Sequence, residues 1–229
     1  TGGDGYGGGA GIGAVGNQWT PGTGTTTQSV GTIRIAGGTI FAEGGTCYYN
    51  SLPACGAAGI GGSADSTTGH VIISGGTVTA TGGYTAAGVG GGTSGCLESI
   101  TIDGGTVTAT GGRDGSAIGS GYNTTIGLGL SCGTIVLSEG TVAANGNIGY
   151  GSENRSTTYW GGTVSVTSGP AVTIKNGEFF PLDGDASIAT YPFSITIYDG
   201  RLTNTITNAA FTIGGTTYQG SIDVSENYV

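Results

Sequence analysis

Residues 99–112 read SITIDGGTVTATGG and residues 70–83 read HVIISGGTVTATGG, so one stretch of the chain is nearly a copy of another. Such self-similarity makes the repeat, not the whole chain, the unit that has to fold. With the Gly-Gly of each copy as an anchor, degenerate versions lie at 32–45 (TIRIAGGTIFAEGG), 134–146 (TIVLSEGTVAANG), 171–180 (AVTIKNGEFF) and 194–203 (SITIYDGRLT). The six anchors fall at Gly37, Gly75, Gly104, Glu139, Asn176 and Asp199, at intervals of 38, 29, 35, 37 and 23 residues. Intervals that uneven exclude helical-pair repeats and fit variable loops hung on a fixed frame.

Alternation within the copies identifies the frame. Residues two apart on a strand share a face, and Val, Ile and Thr suit a pleated surface. Before the anchor, one inward column is Ile33, Val71, Ile100, Ile135, Val172 and Ile195, and the next is Ile35, Ile73, Ile102, Leu137, Ile174 and Ile197. After the anchor come Ile40, Val78, Val107, Val142, Phe179 and Leu202, then the small Ala42, Ala80, Ala109 and Ala144. A third side follows from AGIG, AAGIGG, AAGVGG, SAIGSG and NIGYGS, which align Ile12, Ile60, Val89, Ile118 and Ile148. Stacked coils with about three faces explain these columns, and the glycines beside them supply the corners. The expected fold is all-β: a parallel β-solenoid of about six rungs. Residues 1–169 would be the regular repeats, and residues 170–229 degenerate terminal rungs and a cap within the same domain.

The C-terminal part carries that expectation because Gly thins after Pro170 and aromatics enter (Phe179, Phe180, Tyr191, Phe193, Tyr198). Terminal repeats have an open rung to cover. Thr158–Gly169, TYWGGTVSVTSG, reads as a post-anchor strand without its partner and is assigned to the third side of its coil. The first sixteen residues match the tail of a repeat, so the rung beneath Ile33, Ile35 and Ile40 lacks its anchor strands. Uncovered strand edges pair with other chains, which makes copies of the same chain, stacked head to tail, candidate partners. The absence of Met implies a longer precursor.

Composition narrows the function. Five Lys plus Arg against 14 Asp plus Glu give a formal charge of −9. No basic stripe is available for a phosphate backbone, so nucleic acid is an improbable partner. No apolar run approaches the ~18 residues of a membrane span.

The four cysteines follow the register. Nine extra residues separate Gly45 from Ile60 compared with Gly83 to Val89, and Cys47 and Cys55 lie near the ends of that insertion. Cys96 and Cys132 enter equivalent strands of adjacent rungs, which are ~4.8 Å apart, within reach of a bridge. Cys47–Cys55 and Cys96–Cys132 are therefore the expected disulfides, implying an oxidising, extracellular setting. Zinc and free buried thiols are the alternatives; zinc is disfavoured by the lack of a CxxC pair and by the single imidazole, His70.

The repeats resemble those of secreted and surface-anchored proteins of Gram-positive anaerobes, in which ITISGGTVTATGG is followed by GAGIGGG. The resemblance covers most of residues 1–151. Such proteins are similar in architecture to the pectate-lyase-like right-handed β-helices, which implies right-handed coiling and an extracellular role in adhesion or carbohydrate contact. The implied partner is a glycan or another cell-surface polymer.

Candidate chemistry is sparse. Polysaccharide-cleaving β-helices need clustered carboxylates. Asp103 stands where other copies have Ala36, Ser74 or Ser138, so no acidic ladder is expected. Asp183 and Asp185, in LDGDA, form the best Ca²⁺ candidate, against the alternative of an ordinary Asp-Gly turn. No other cofactor is expected. His70 has no evident Ser or Cys with a third partner, so no catalytic residue is assigned. Loop aromatics are better candidates, because sugar rings stack on exposed aromatic faces. Tyr159 and Trp160 together are the favoured carbohydrate-binding pair, with Trp19, Tyr48, Tyr49, Tyr84, Tyr122 and Tyr150 also in loops. Outward Thr77, Thr79 and Thr81 above Thr106, Thr108 and Thr110 suggest a smaller possibility, ice binding through a Thr array. The expected function is a non-catalytic extracellular module for adhesion, carbohydrate binding or structural assembly, with a β-helical polysaccharide lyase or hydrolase as the alternative.

Overall fold

The computed structural model describes residues 8–16, 29–122, 133–149, 151, 163–166, 171–175, 195–196, 206–213 and 216–223. Its frame is a parallel β-solenoid. Three long strands, Thr67–Thr81, Cys96–Thr110 and Thr134–Asn145, stack in parallel, each running through its anchor. Ser29–Ile35 and Thr39–Glu43 lie on one side of this stack and Thr163–Val166 and Ala171–Lys175 on the other. The opposite wall is a ladder of two-residue strands beginning at Ile12, Ile60, Val89, Ile118 and Ile148.

The register follows the aliphatic columns over these rungs. Ile33, Val71, Ile100 and Ile135 are paired in sequence, as are Ile35, Ile73, Ile102 and Leu137, and Ile40, Val78, Val107 and Val142. With Ile60, Val89, Ile118 and Ile148 from the short wall they form one core. Each fully buried Ile contributes roughly 1.5–3 kcal/mol relative to exposure. Stacking repeats the same contact in every rung.

The anchor is a bulge inside a bent strand. The ladder slips on both sides of Ser74 and again on both sides of Glu139. Gly76 has φ of 90°, a left-handed value that favours glycine, and a Cβ there would lie 2.6 Å from the Gly38 carbonyl oxygen. The slip also alters one expectation: Glu139, not Ser138, stands opposite Asp103, so two carboxylates neighbour each other on adjacent rungs. Among the described residues no group of three or more metal-ligating side chains forms.

The C-terminal register differs from the expected one. Thr163–Val166 pairs with Thr134–Leu137, placing Val164 beside Ile135 and Val166 beside Leu137. Ala171–Lys175 pairs with Thr141–Asn145, so Val172 and Ile174 extend the post-anchor columns of Val142 and Ala144. Within the segment assigned to the third side, Thr163–Val166 is thus a pre-anchor strand. Both strands carry the same β-branched alternation, and only pairing to the previous rung tells them apart. Ile195 pairs with Ile222 in a separate three-stranded sheet in which Ile206–Ile213 and Thr216–Asp223 run antiparallel. Phe179, Ile197 and Leu202 lie outside the described residues.

On the outer face, Thr39, Thr77, Thr106 and Thr141 form one exposed column. The neighbouring column is broken by Phe41, 78% exposed, and by Ala143.

Candidate ligand-binding corner

The corner that joins each post-anchor strand to the short wall is where the rungs differ most. Glu43 to Ile60, Thr81 to Val89, Thr110 to Ile118 and Asn145 to Ile148 are separated by 16, 7, 7 and 2 residues. The insertion therefore protrudes, and the deletion leaves a step.

The protrusion is a β-hairpin, Thr46–Tyr49 with Leu52–Gly56. Its turn residues Asn50 and Ser51 have φ of 50° and 64°, the left-handed pair that a tight two-residue hairpin requires. Cys47 and Cys55 are paired across it, disulfide-bonded as the insertion length predicts, and buried against Ala64. Beyond the staple, Tyr48, Tyr49 and Leu52 are exposed, three of the five exposed large hydrophobics among the described residues. A stapled strand pair presents them with little ordering cost left to meet on binding.

The next rung places Tyr84 at the foot of the hairpin. Its backbone N–H donates to Thr46 Oγ1 at 3.2 Å. A buried hydroxyl cluster holds the backbone below: Gly56 N–H donates to Thr93 Oγ1 at 2.7 Å, and Thr93 Oγ1 is 2.7 Å from Thr85 Oγ1. Thr85 also donates to the Tyr84 carbonyl at 2.6 Å and sits at φ of 61°. One rung on, Arg113 takes the place of Tyr84. Its Nη1 donates to the Tyr84 hydroxyl at 2.9 Å, and the guanidinium carbon is 5.9 Å from the ring centroid, at the outer limit of a cation–π contact. Asp114 lies 3.6 Å from Arg113 Nε.

The deletion after Asn145 opens a groove of about 340 Å³ under Arg113, lined by Gly111, Gly112, Gly115, Asn145, Gly146 and Asn147. The corner thus descends from an aromatic hairpin, over a Tyr–Arg pair, into a polar groove. It offers ring faces for stacking and amide, guanidinium and carboxylate groups for hydroxyls, the mixture that orients a polar, ring-bearing ligand.

Of the expected site residues, Tyr159, Trp160, Asp183, Asp185 and Cys132 lie outside the described residues. Cys96 begins the strand paired with Thr67–Thr81, and only its backbone is described. Tyr48, Tyr49 and Tyr84 are brought to one corner; Arg113 and the groove were missed. The signal available was the change in corner length, which places an insertion and a deletion on the same edge.

The reading of His70 needs correction. Its Nδ1 lies 2.8 Å from Ser99 Oγ and its Nε2 3.2 Å from a Glu98 carboxylate oxygen. A serine and a third partner are therefore both present, supplied by the adjacent rung.

A family model described as a beta helix repeat matches residues 33–64, 71–93 and 100–122. No curated protein and no solved structure gives a significant match. The three matched stretches include the hairpin, Tyr84 and Arg113, so the candidate corner is built on rungs similar to beta helix repeats.

Proposed function

We propose that this chain is an extracellular β-helical module that binds a neutral glycan through the corner formed by the hairpin, Tyr84, Arg113 and the groove. The observation that carries the reading is the Tyr84–Arg113 pair, fixed on a hydrogen-bonded backbone between exposed aromatics and a polar groove. A formal charge of −9 disfavours polyanionic polymers, and Arg113 beside Asp114 balances charge at the corner itself, which matches a neutral chain. The disulfide and the resemblance to repeats of secreted and surface-anchored proteins of Gram-positive anaerobes support a location outside the cytosol.

A glycan array followed by calorimetry on the hits tests this. Y84A is expected to lower affinity roughly tenfold, the loss of one stacking and cation–π contact. The same variant should change stability by less than about 1 kcal/mol. A full-strength signal in Y84A, or no neutral glycan bound at all, would remove the assignment.

A further inference from the structure

The structure brings together a second set of groups, on a different part of the coil, that glycan binding does not use. His70 and Ser99 are register partners on adjacent rungs. Along 97–100, Leu97 and Ile100 are buried while Glu98 is exposed and Ser99 half-exposed. Two outward residues in succession break strict alternation, and this is why Glu98 and Ser99 both reach the same imidazole.

The chemistry fixes the polarity of the array. An ionised carboxylate only accepts, so the ring proton sits on Nε2 facing Glu98. In the neutral ring Nδ1 is then the acceptor, and the Ser99 hydroxyl donates to it. A hydroxyl on a base whose other nitrogen is oriented by a third group is the diagnostic arrangement of an activated nucleophile. The two ring nitrogens are exchanged relative to the common Ser-His-acid array, but the direction of proton transfer is the same.

We propose that Ser99, His70 and Glu98 form an acyl-transfer site that hydrolyses small acyl esters, acetyl esters above all. Ser99 Oγ bonds to the ester carbonyl carbon as its proton passes to His70 Nδ1. Collapse breaks the bond from the carbonyl carbon to the alkoxy oxygen, and the proton leaves with the alcohol. Water then adds to the acyl carbon, giving a proton to Nδ1, and Ser99 Oγ departs with that proton as the carboxylic acid is released. Glu98 is a positioning residue that holds the ring and stabilises its charged form. The His70 and Glu98 side chains are 50% and 59% exposed, so solvent meets the oxyanion and the acyl group must be small and accessible.

Two measurements on the full chain test the proposal: p-nitrophenyl acetate hydrolysis, and mass-spectrometric mapping of a fluorophosphonate adduct. Wild type should exceed S99A and H70A by roughly a hundredfold, the lower range of general-base assistance. The adduct should map to Ser99 and be lost in H70A. E98Q should lower kcat and leave KM unchanged, a split that a purely structural role would not give. All three variants should keep the wild-type circular dichroism spectrum. Equal rates in wild type and S99A, an adduct on another residue, or an unchanged kcat in E98Q would each overturn it. Glycan binding by S99A should match wild type, so this proposal and the glycan reading fail independently.

Discussion

The rungs spanning Thr67–Gly119 and the hairpin spanning Thr46–Gly56, which follows Thr39–Glu43 of the rung before them, are held by different forces. In the rungs inward side chains meet their counterparts on adjacent rungs, so Val71 and Ile100 are both β-branched aliphatics packed in one column. The hairpin has no counterpart on a neighbouring rung. Its two strands pair only with each other, and a disulfide does what stacking does elsewhere. The comparison teaches that regularity carries stability, while departures from regularity, the insertion at one corner and the deletion three rungs later, shape the corner proposed to bind.

The sharpest way to break the comparison is to disturb the short wall. Gly90 sits at φ of 134°, and a Cβ there would overlap the Gly119 carbonyl oxygen of the next rung. Gly90→Ala is expected to cost at least about 3 kcal/mol through backbone strain and displaced stacking. Gly37, where an added Cβ meets nothing within 4 Å, is the control, and Gly37→Ala should stay within about 0.5 kcal/mol of wild type. Chemical denaturation of both variants checks the pair. Similar losses at the two sites would mean that stacking does not set the glycine requirement.

Core truncation should come next in size. Ile100 is fully buried between Val71 and Ile135. Ile100→Ala is expected to cost roughly 2–5 kcal/mol, read from the denaturation midpoint at constant slope.

A smaller effect belongs to the staple. Cys47 and Cys55 are eight residues apart, and removing the bridge with C47S/C55S should cost roughly 2–3 kcal/mol by the loop-entropy estimate. Hydrogen exchange should localise this loss to residues 46–56, leaving the Val71–Ile100 ladder protected. Deprotection spreading into that ladder would show that the hairpin supports the rungs, against the comparison drawn above.

The columns were legible in the sequence because a parallel stack forces like residues into register, so two near-identical copies predict each other's neighbours. Cys47–Cys55 was legible for a related reason: the insertion is measured against an uninserted copy. The slip at Val172 was not, since AVTIK and TVSV alternate alike and only the inter-rung ladder separates them. Nor was the opposition of Asp103 and Glu139, because the anchor bulge shifts register by one residue. The cluster at His70 was hidden for a third reason. Simple alternation places Glu98 and Ser99 on opposite faces, whereas the chain turns both outward. The polar groove arises from two residues between Asn145 and Ile148, a difference of length rather than of residue type.

The most direct test of the account replaces residues 46–56 with the Tyr-Thr link that Tyr84–Thr85 supplies on the next rung, deleting nine residues and restoring the regular corner. Calorimetric titration with the best glycan found for wild type, beside thermal unfolding, gives the answer. The account predicts a solenoid that unfolds cooperatively within a few degrees of wild type and binds the glycan at least tenfold more weakly. Wild-type affinity in the grafted chain, or a chain that no longer folds, would contradict the division between rungs that stabilise and a corner that binds.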